Sequence, residues 1–259
     1  MEAVSLEEIK LFFWRRGYQI DECCQKERII LPKDLSLEGD YFNFLSHYRF
    51  RRLLSDIIHS QDNGRVNLEK LFSRWNLEEI REYWEFLVKS GILTLVNENY
   101  YFSYPYIDNF GETLEWYISG LLVKEFKMPT VWGVKIRELK GGGDFDVLSI
   151  LEGYLLYIEC KTSPPNNVRL REIWEFLRRR EELKPKITIL FIDTTLKIER
   201  NITENVKYLL DKRFAKDKNN VLLKLKEGIY AFDKSLYIMQ SKGEMVKNFQ
   251  LVFRDFLNG

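Results

Sequence analysis

Residues 143–161 read GDFDVLSILEGYLLYIECK. Two apolar runs flank Glu152-Gly153, and two residues between such runs, one of them glycine, predict a tight β-hairpin. Leu151 then opposes Tyr154, which sets Asp146 opposite Glu159 and Asp144 opposite Lys161. Side chains alternate along a strand, so these four charged residues share one face. The other face carries Phe145, Val147, Leu156, Ile158 and Cys160, a set suited to a packed core.

Charged residues are depleted in strands, and like charges directly opposed at about 4.5–5.5 Å destabilise a sheet. Asp146 facing Glu159 therefore needs compensation. Charges on an edge strand could serve only to discourage aggregation. The run YLLYI is apolar on both faces, however, which predicts a central, buried strand. A charge at the end of such a strand is costly unless it is used. A divalent cation would supply the compensation, since Mg²⁺ takes one or two carboxylates and completes its shell with water and substrate phosphate. Lys161 points at the same place. Two acids and a lysine around a metal suit phosphodiester cleavage: the metal polarises phosphate and lowers the pKa of its water, and the lysine stabilises charge.

The 259 residues, 45% of them hydrophobic, suffice for one large or two modest domains. No apolar run reaches the ~18 residues of a membrane span. The start, MEAVSLEEIK, is acidic and lacks a signal-peptide core. Cys23, Cys24 and Cys160 offer neither metal spacing nor a disulfide framework, so a cytoplasmic protein is expected. The two histidines, His47 and His59, lie outside the hairpin, which argues against histidine-based zinc or triad chemistry. Residues 1–108 hold 14 Lys and Arg against 18 Asp and Glu, net −4; residues 109–259 hold 26 against 21, net +5. The basic excess sits with the hairpin.

Around the hairpin, helical spacing marks 109–126, alternation marks a strand at 130–139, and a turn falls at 140–143. A helix at 168–183 and a short, buried, parallel strand at 186–193 follow. The resulting order is α-β-β-β-α-β, an α/β fold. This order, Asp146 and the triplet Glu159-Cys160-Lys161 resemble the PD-(D/E)xK, or restriction-endonuclease-like, nuclease superfamily. The text LEWYI, GDFDVL and LLYIECKT is similar to the nuclease domain of CRISPR-associated effectors activated by cyclic oligoadenylate, over roughly residues 109–195. The proline that often precedes the first acid is absent.

The resemblance implies Mg²⁺- or Mn²⁺-dependent hydrolysis of nucleic acid, with DNA favoured over RNA. Asp146 and Glu159 would bind metal, with the carbonyl of Cys160 as an extra ligand. Lys161 would act near the attacking water. The family often carries a helix glutamate; Glu112 and Glu115 are the candidates, and Glu115 is favoured as a holder of a second metal or its water shell. Asp144 would either assist from outside the ligand set or pair with Lys161. Arg169, Arg171, Arg178 and Arg179 on the 168–183 helix could hold a nucleic-acid backbone; a solvated face paired with neighbouring glutamates reads equally well. The segment 196–259 reads as helix, strands near 221–226 and 235–240, and a final helix, without a motif. Packing, or the homodimer that paired duplex cuts need, is its expected role.

In the first half, amphipathic helices at 48–60, from Asn67 and at 76–91, then two strands around Asn97–Asn99, resemble a winged helix-turn-helix over about residues 48–104. Its third helix carries Glu78, Glu79, Glu82 and Glu85, which would repel phosphates, so a protein partner is preferred to DNA reading. Residues 1–108 are taken as one domain and 109–259 as the nuclease-like domain. No doubly wound pattern or phosphate loop occurs in residues 1–108, so regulation by a cyclic oligonucleotide is not expected. The alternatives are a non-catalytic nucleic-acid-binding or assembly protein that keeps the fold, or an RNase with the same site.

Overall fold

The computed structural model describes residues 2–22, 26–139, 144–214 and 221–259, without the side chains of 2–5, 22, 26, 213 and 214. Cys23, Cys24 and the turn expected at 140–143 lie outside the described residues. The chain forms two compact units, one of residues 1–25 and 114–259, the other of residues 26–113. The boundary differs from a simple division at residue 108, because the N-terminal segment belongs with the second half.

Helix α1 (Glu2–Trp14) and strand β1 (Ile20–Glu22) open the chain. The unit of residues 26–113 then holds α2 (Glu38–Leu45), α3 (Tyr48–Ser60), β2 (Gln61–Asp62), β3 (Arg65–Val66), α4 (Leu68–Phe72), α5 (Leu77–Lys89), β4 (Leu93–Val96) and β5 (Asn99–Phe102). The short strands make an antiparallel sheet in the order β2-β3-β5-β4. Asn67 and Asn76 cap α4 and α5 by accepting backbone N–H groups, as their position before apolar helical runs predicts. The helices bury one face each, including Phe50, Leu53, Leu54 and Ile57 of α3 against Ile80, Phe86 and Leu87 of α5.

The larger unit continues with α6 (Gly111–Phe126), β6 (Thr130–Ile136), β7 (Phe145–Leu151), β8 (Tyr154–Lys161), α7 (Leu170–Leu183), β9 (Ile187–Ile192), α8 (Glu204–Leu209, flanked by looser π turns), β10 (Leu222–Lys226), β11 (Ile229–Phe232), β12 (Leu236–Gln240) and α9 (Met245–Leu257). Its mixed eight-stranded sheet has the order β1-β6-β7-β8-β9-β12-β11-β10. β8 is central, antiparallel to β7 and parallel to β9. Helices cover both faces. Ile173, Phe176 and Leu177 of α7 join Leu148, Tyr157, Leu190 and Ile192 in one buried cluster. On the other face Phe191 stacks on Phe249 of α9, which meets Phe126 of α6. The fold is therefore mixed α/β with a large mixed sheet.

The β7–β8 turn takes Glu152 at φ 47° and Gly153 at φ 79°, the two positive values a type I′ turn needs. Leu151 pairs with Tyr154, and the register holds through Val147–Ile158. There the ladder stops, one pair short of Asp146 and Glu159. Asp146 also drops out of the ladder with β6, where Gly133 stands opposite it at φ 57°, between the pairs Trp132–Val147 and Val134–Phe145. The two strands flanking Asp146 thus leave it out of regular pairing, and its carboxylate accepts a backbone N–H of β8 instead.

Candidate active site

Tyr157, Glu159 and Lys161 alternate along β8, so all three point to the side covered by α7. Glu159 is 1% exposed. Its Oε1 accepts from Lys161 Nζ at 2.8 Å and from Arg179 Nη2 at 2.6 Å, and its Oε2 accepts from the Tyr157 hydroxyl. Arg179 Nε donates to the same hydroxyl at 3.0 Å. Asp146, across the splayed end of the hairpin, accepts the backbone N–H of Cys160 at 2.7 Å. This bond replaces the strand–strand pair expected between Asp146 and Glu159. The two acids thus have different partners, one a backbone amide and the other two cations and a hydroxyl.

The charges divide accordingly. Burial and then the neighbouring Glu159 push the Asp146 carboxyl up to about 8, against the opposing pull of Lys161 and the Cys160 amide. Burial would also raise Glu159, but Lys161 and Arg179 overcome it and hold this carboxyl below its ordinary range. The surroundings therefore favour the charge on Glu159 and the proton on Asp146. Burial disfavours both cations as well, yet Glu159 keeps Lys161 and Arg179 more firmly protonated than usual. Burial raises the Cys160 thiol, with Asp146 and then Glu115 adding to the effect, so the thiol is inert at neutral pH. The same influence places the Glu115 carboxylate, on α6, within electrostatic reach of the hairpin end. Glu112 is engaged elsewhere, bonded to Arg28 at 3.2 Å.

Three expectations change. Asp144 does not face Lys161: it is exposed and pairs with Lys135 at 3.3 Å, because the β7–β8 ladder has already ended. Asp144→Ala is accordingly expected to alter any cleavage rate by less than about threefold, within the range of a surface ion pair; a rate assay checks this. Arg179 is not on the exposed stripe of α7, being one turn from Phe176 on the buried side, and it joins the carboxylates. The other arginines stay on the surface or rim. Arg169 and Arg171 are 83% and 86% exposed beside Glu172 and Glu175, and Arg178 lies over Trp174 near Glu182. Tyr157, part of the apolar run YLLYI, bonds Glu159 through its hydroxyl; its place two residues before Glu159 is the signal that it shares that face.

The fold has solved counterparts. Protein VC1899 from Vibrio cholerae is similar at a TM-score of 0.57 and 14% identity, over 96% of this chain and 62% of that one. Can2 from Sulfobacillus thermosulfidooxidans, solved in complex with cyclic tetra-adenylate, is similar at a TM-score of 0.51 and 14% identity, over 97% of this chain and 61% of that one. At this identity the likeness is one of fold. The chain spans a little over three-fifths of the length of these two proteins. No protein-family model matches the sequence, and no curated protein matches it.

Among the described residues, no three Asp, Glu, His or Cys side chains converge as a ready-made metal cage. Mg²⁺ does not require one, since it is commonly held by one or two carboxylates with water completing the octahedron. The donor set at the hairpin end is of this kind. Asp146 and Glu159 provide oxygens. The Cys160 carbonyl points to the same side of β8 as its N–H, hence toward Asp146. A partly buried carboxyl that holds its proton to about pH 8 is one that gains from a bound cation. In donor type the residues fit a hard divalent ion, with Glu159 engaged by Lys161, Arg179 and Tyr157 in this structure. Two surface grooves, of about 280 and 470 Å³, flank Gly153 at the opposite end of the hairpin and contain none of these residues.

Proposed function

We propose that this protein is a divalent-metal-dependent nuclease with a restriction-endonuclease-like core, hydrolysing phosphodiester bonds of nucleic acid, DNA in the first instance. The observation that carries this reading is the meeting of Asp146, Glu159 and Lys161 at the one point where the central hairpin splays. Asp146 and Glu159, with the Cys160 carbonyl, would hold Mg²⁺ or Mn²⁺; when bound, the ion would polarise the phosphate and acidify water. Lys161, kept charged by Glu159, offsets the charge that develops on the phosphate oxygens. Glu115, on α6 and within electrostatic reach of the Cys160 thiol, would hold a second ion or its water shell. Tyr157 fixes the rotamer of Glu159 through its hydroxyl. Arg169, Arg171 and Arg178, around the outer face of α7, are suited to the flanking backbone.

Residues 48–104 have the helix and hairpin order of a winged helix, and we read them as a docking module for a protein partner or a second copy. The glutamates of α5 support this: Arg81 is tied to Glu78 and Arg49 to Glu79, leaving little positive charge for phosphates. The cyclic tetra-adenylate in the Can2 structure gives no reason to place such a ligand here, as the described sheet of residues 26–113 is short and antiparallel.

One feature favours the non-catalytic alternative: Glu159 is already neutralised by Lys161 and Arg179. Incubation of supercoiled plasmid, single-stranded DNA and RNA with Mg²⁺ or Mn²⁺, beside EDTA, decides between the readings. Metal-dependent cutting of at least one substrate is expected, and the substrate cut names the class. Inert protein that also binds no metal by calorimetry would move the assignment to a binding protein.

A further inference from the structure

Glu159 has little room for a metal as it stands. A carboxylate offers about four lone-pair sites, and three donors already occupy its two oxygens. The charge count points the same way. Asp146 and Glu159 against Lys161 and Arg179 sum to zero when all are ionised. A divalent ion would then stand beside two cations in a poorly hydrated site, where like charges repel strongly. Something must draw the cations away, and the group that can do so is the substrate. Arginine binds phosphate at least as well as carboxylate, through the same planar fork. Arg179 spends Nε on Tyr157 and Nη2 on Glu159, which leaves its Nη1 edge outside both bonds. It is 12% exposed and Lys161 20%, so both reach solvent at the mouth of the site.

Building on the nuclease reading, we propose that Arg179 is a substrate-operated gate: a nucleic-acid phosphate takes Arg179 off Glu159, and only then does Glu159 become free to hold the metal. Metal and nucleic acid consequently bind with positive coupling, and the apo site resists metal. A phosphate that joins the metal's shell couples the two in either case; the simpler role for Arg179, a buried ion pair that fastens α7 to β8, predicts that removing its charge neither tightens metal binding without nucleic acid nor lowers the coupling.

The test is a Mn²⁺ titration of the full chain by calorimetry, alone and with a single-stranded phosphorothioate DNA or RNA oligomer that resists cutting. The wild type is expected to bind Mn²⁺ about tenfold more tightly with the oligomer present, a usual size for such coupling. Arg179→Met, which keeps the volume and removes the charge, is expected to bind Mn²⁺ about tenfold more tightly without oligomer and to lose most of the coupling. Arg179→Lys, which keeps the charge, should stay near the wild type in metal affinity. Thermal unfolding reports whether the variants fold; if Arg179→Met does not, Arg179→Gln, which also removes the charge, takes its place. Wild-type Mn²⁺ affinity that ignores the oligomer, or weaker binding in folded Arg179→Met, overturns the gate and leaves the nuclease reading standing. Wild type that binds no Mn²⁺ in any arm overturns both.

Discussion

Lys161→Ala is expected to lower metal-dependent cleavage by about 10²–10³-fold, the usual effect of removing one group that stabilises transition-state charge. The expectation rests on position and state. Lys161 is the cation of the cluster with the greater exposure, and Glu159 raises its affinity for its proton, so it stays charged across the neutral range. Its removal leaves Glu159 with Arg179 and Tyr157, so the buried carboxylate keeps two partners and the fold survives. Metal affinity should persist or rise, because one positive charge has left the neighbourhood. Single-turnover rates with saturating Mn²⁺ measure the effect, beside calorimetry for the metal. A variant that cuts within threefold of the wild type would assign Lys161 a merely structural pairing with Glu159.

Asp146→Asn should separate stability from activity. The Asp146 carboxyl is raised from 3.8 to about 8 in the folded protein by burial and by Glu159. A raised folded value means that the protonated form is the one folding favours. Its contribution is complete below the unfolded value, declines as pH rises between about 4 and 8, and is gone above that. The Asn variant escapes this decline and still accepts the Cys160 amide through its side-chain oxygen. Without metal, the two proteins are therefore expected to unfold at similar temperatures near pH 4. By pH 9 the variant should gain about 2 kcal/mol, kept well below the full shift because Asp146 is partly exposed, which corresponds to about 4–8 °C. With a cutting-resistant oligomer present, Mn²⁺ should stabilise the wild type and not the variant, and cleavage should vanish with the carboxylate. Thermal unfolding at pH 4, 7 and 9 in chelator provides the comparison. A variant less stable than the wild type at every pH would make Asp146 a structural residue.

The hairpin was legible because its determinants are local. Glu152-Gly153 set the turn, the turn set the register, and YLLYI marked the central strand. Where the ladder would end was not legible, since it depends on Gly133 in another strand and on a side chain that replaces a backbone partner. The same break moved Asp144 away from Lys161. Arg179 stands in a run of three arginines whose composition reads as a basic surface; its helical phase with Phe176 and Leu183 marks it as inward-facing. β11 was missed because the β11–β12 turn uses Asp233 and Lys234 at φ 49° and 54°, a type I′ geometry built without glycine. The attachment of the N-terminal segment to the sheet rests on Ile9 and Phe13 of α1 in the buried cluster and on the three-residue strand Ile20–Glu22 pairing with β6, contacts across more than a hundred residues that no local pattern announces.

The central claim is that two carboxylates at the splayed end of β7 and β8 make a metal-dependent phosphodiesterase. It is tested most directly by following cleavage of the preferred nucleic acid across a Mn²⁺ titration, with wild type and Asp146→Ala side by side. Cleavage that rises with Mn²⁺ and saturates in the wild type, is abolished by EDTA and is absent from Asp146→Ala at every concentration is the predicted result. Cleavage that persists in EDTA, or that Asp146→Ala retains, would contradict it.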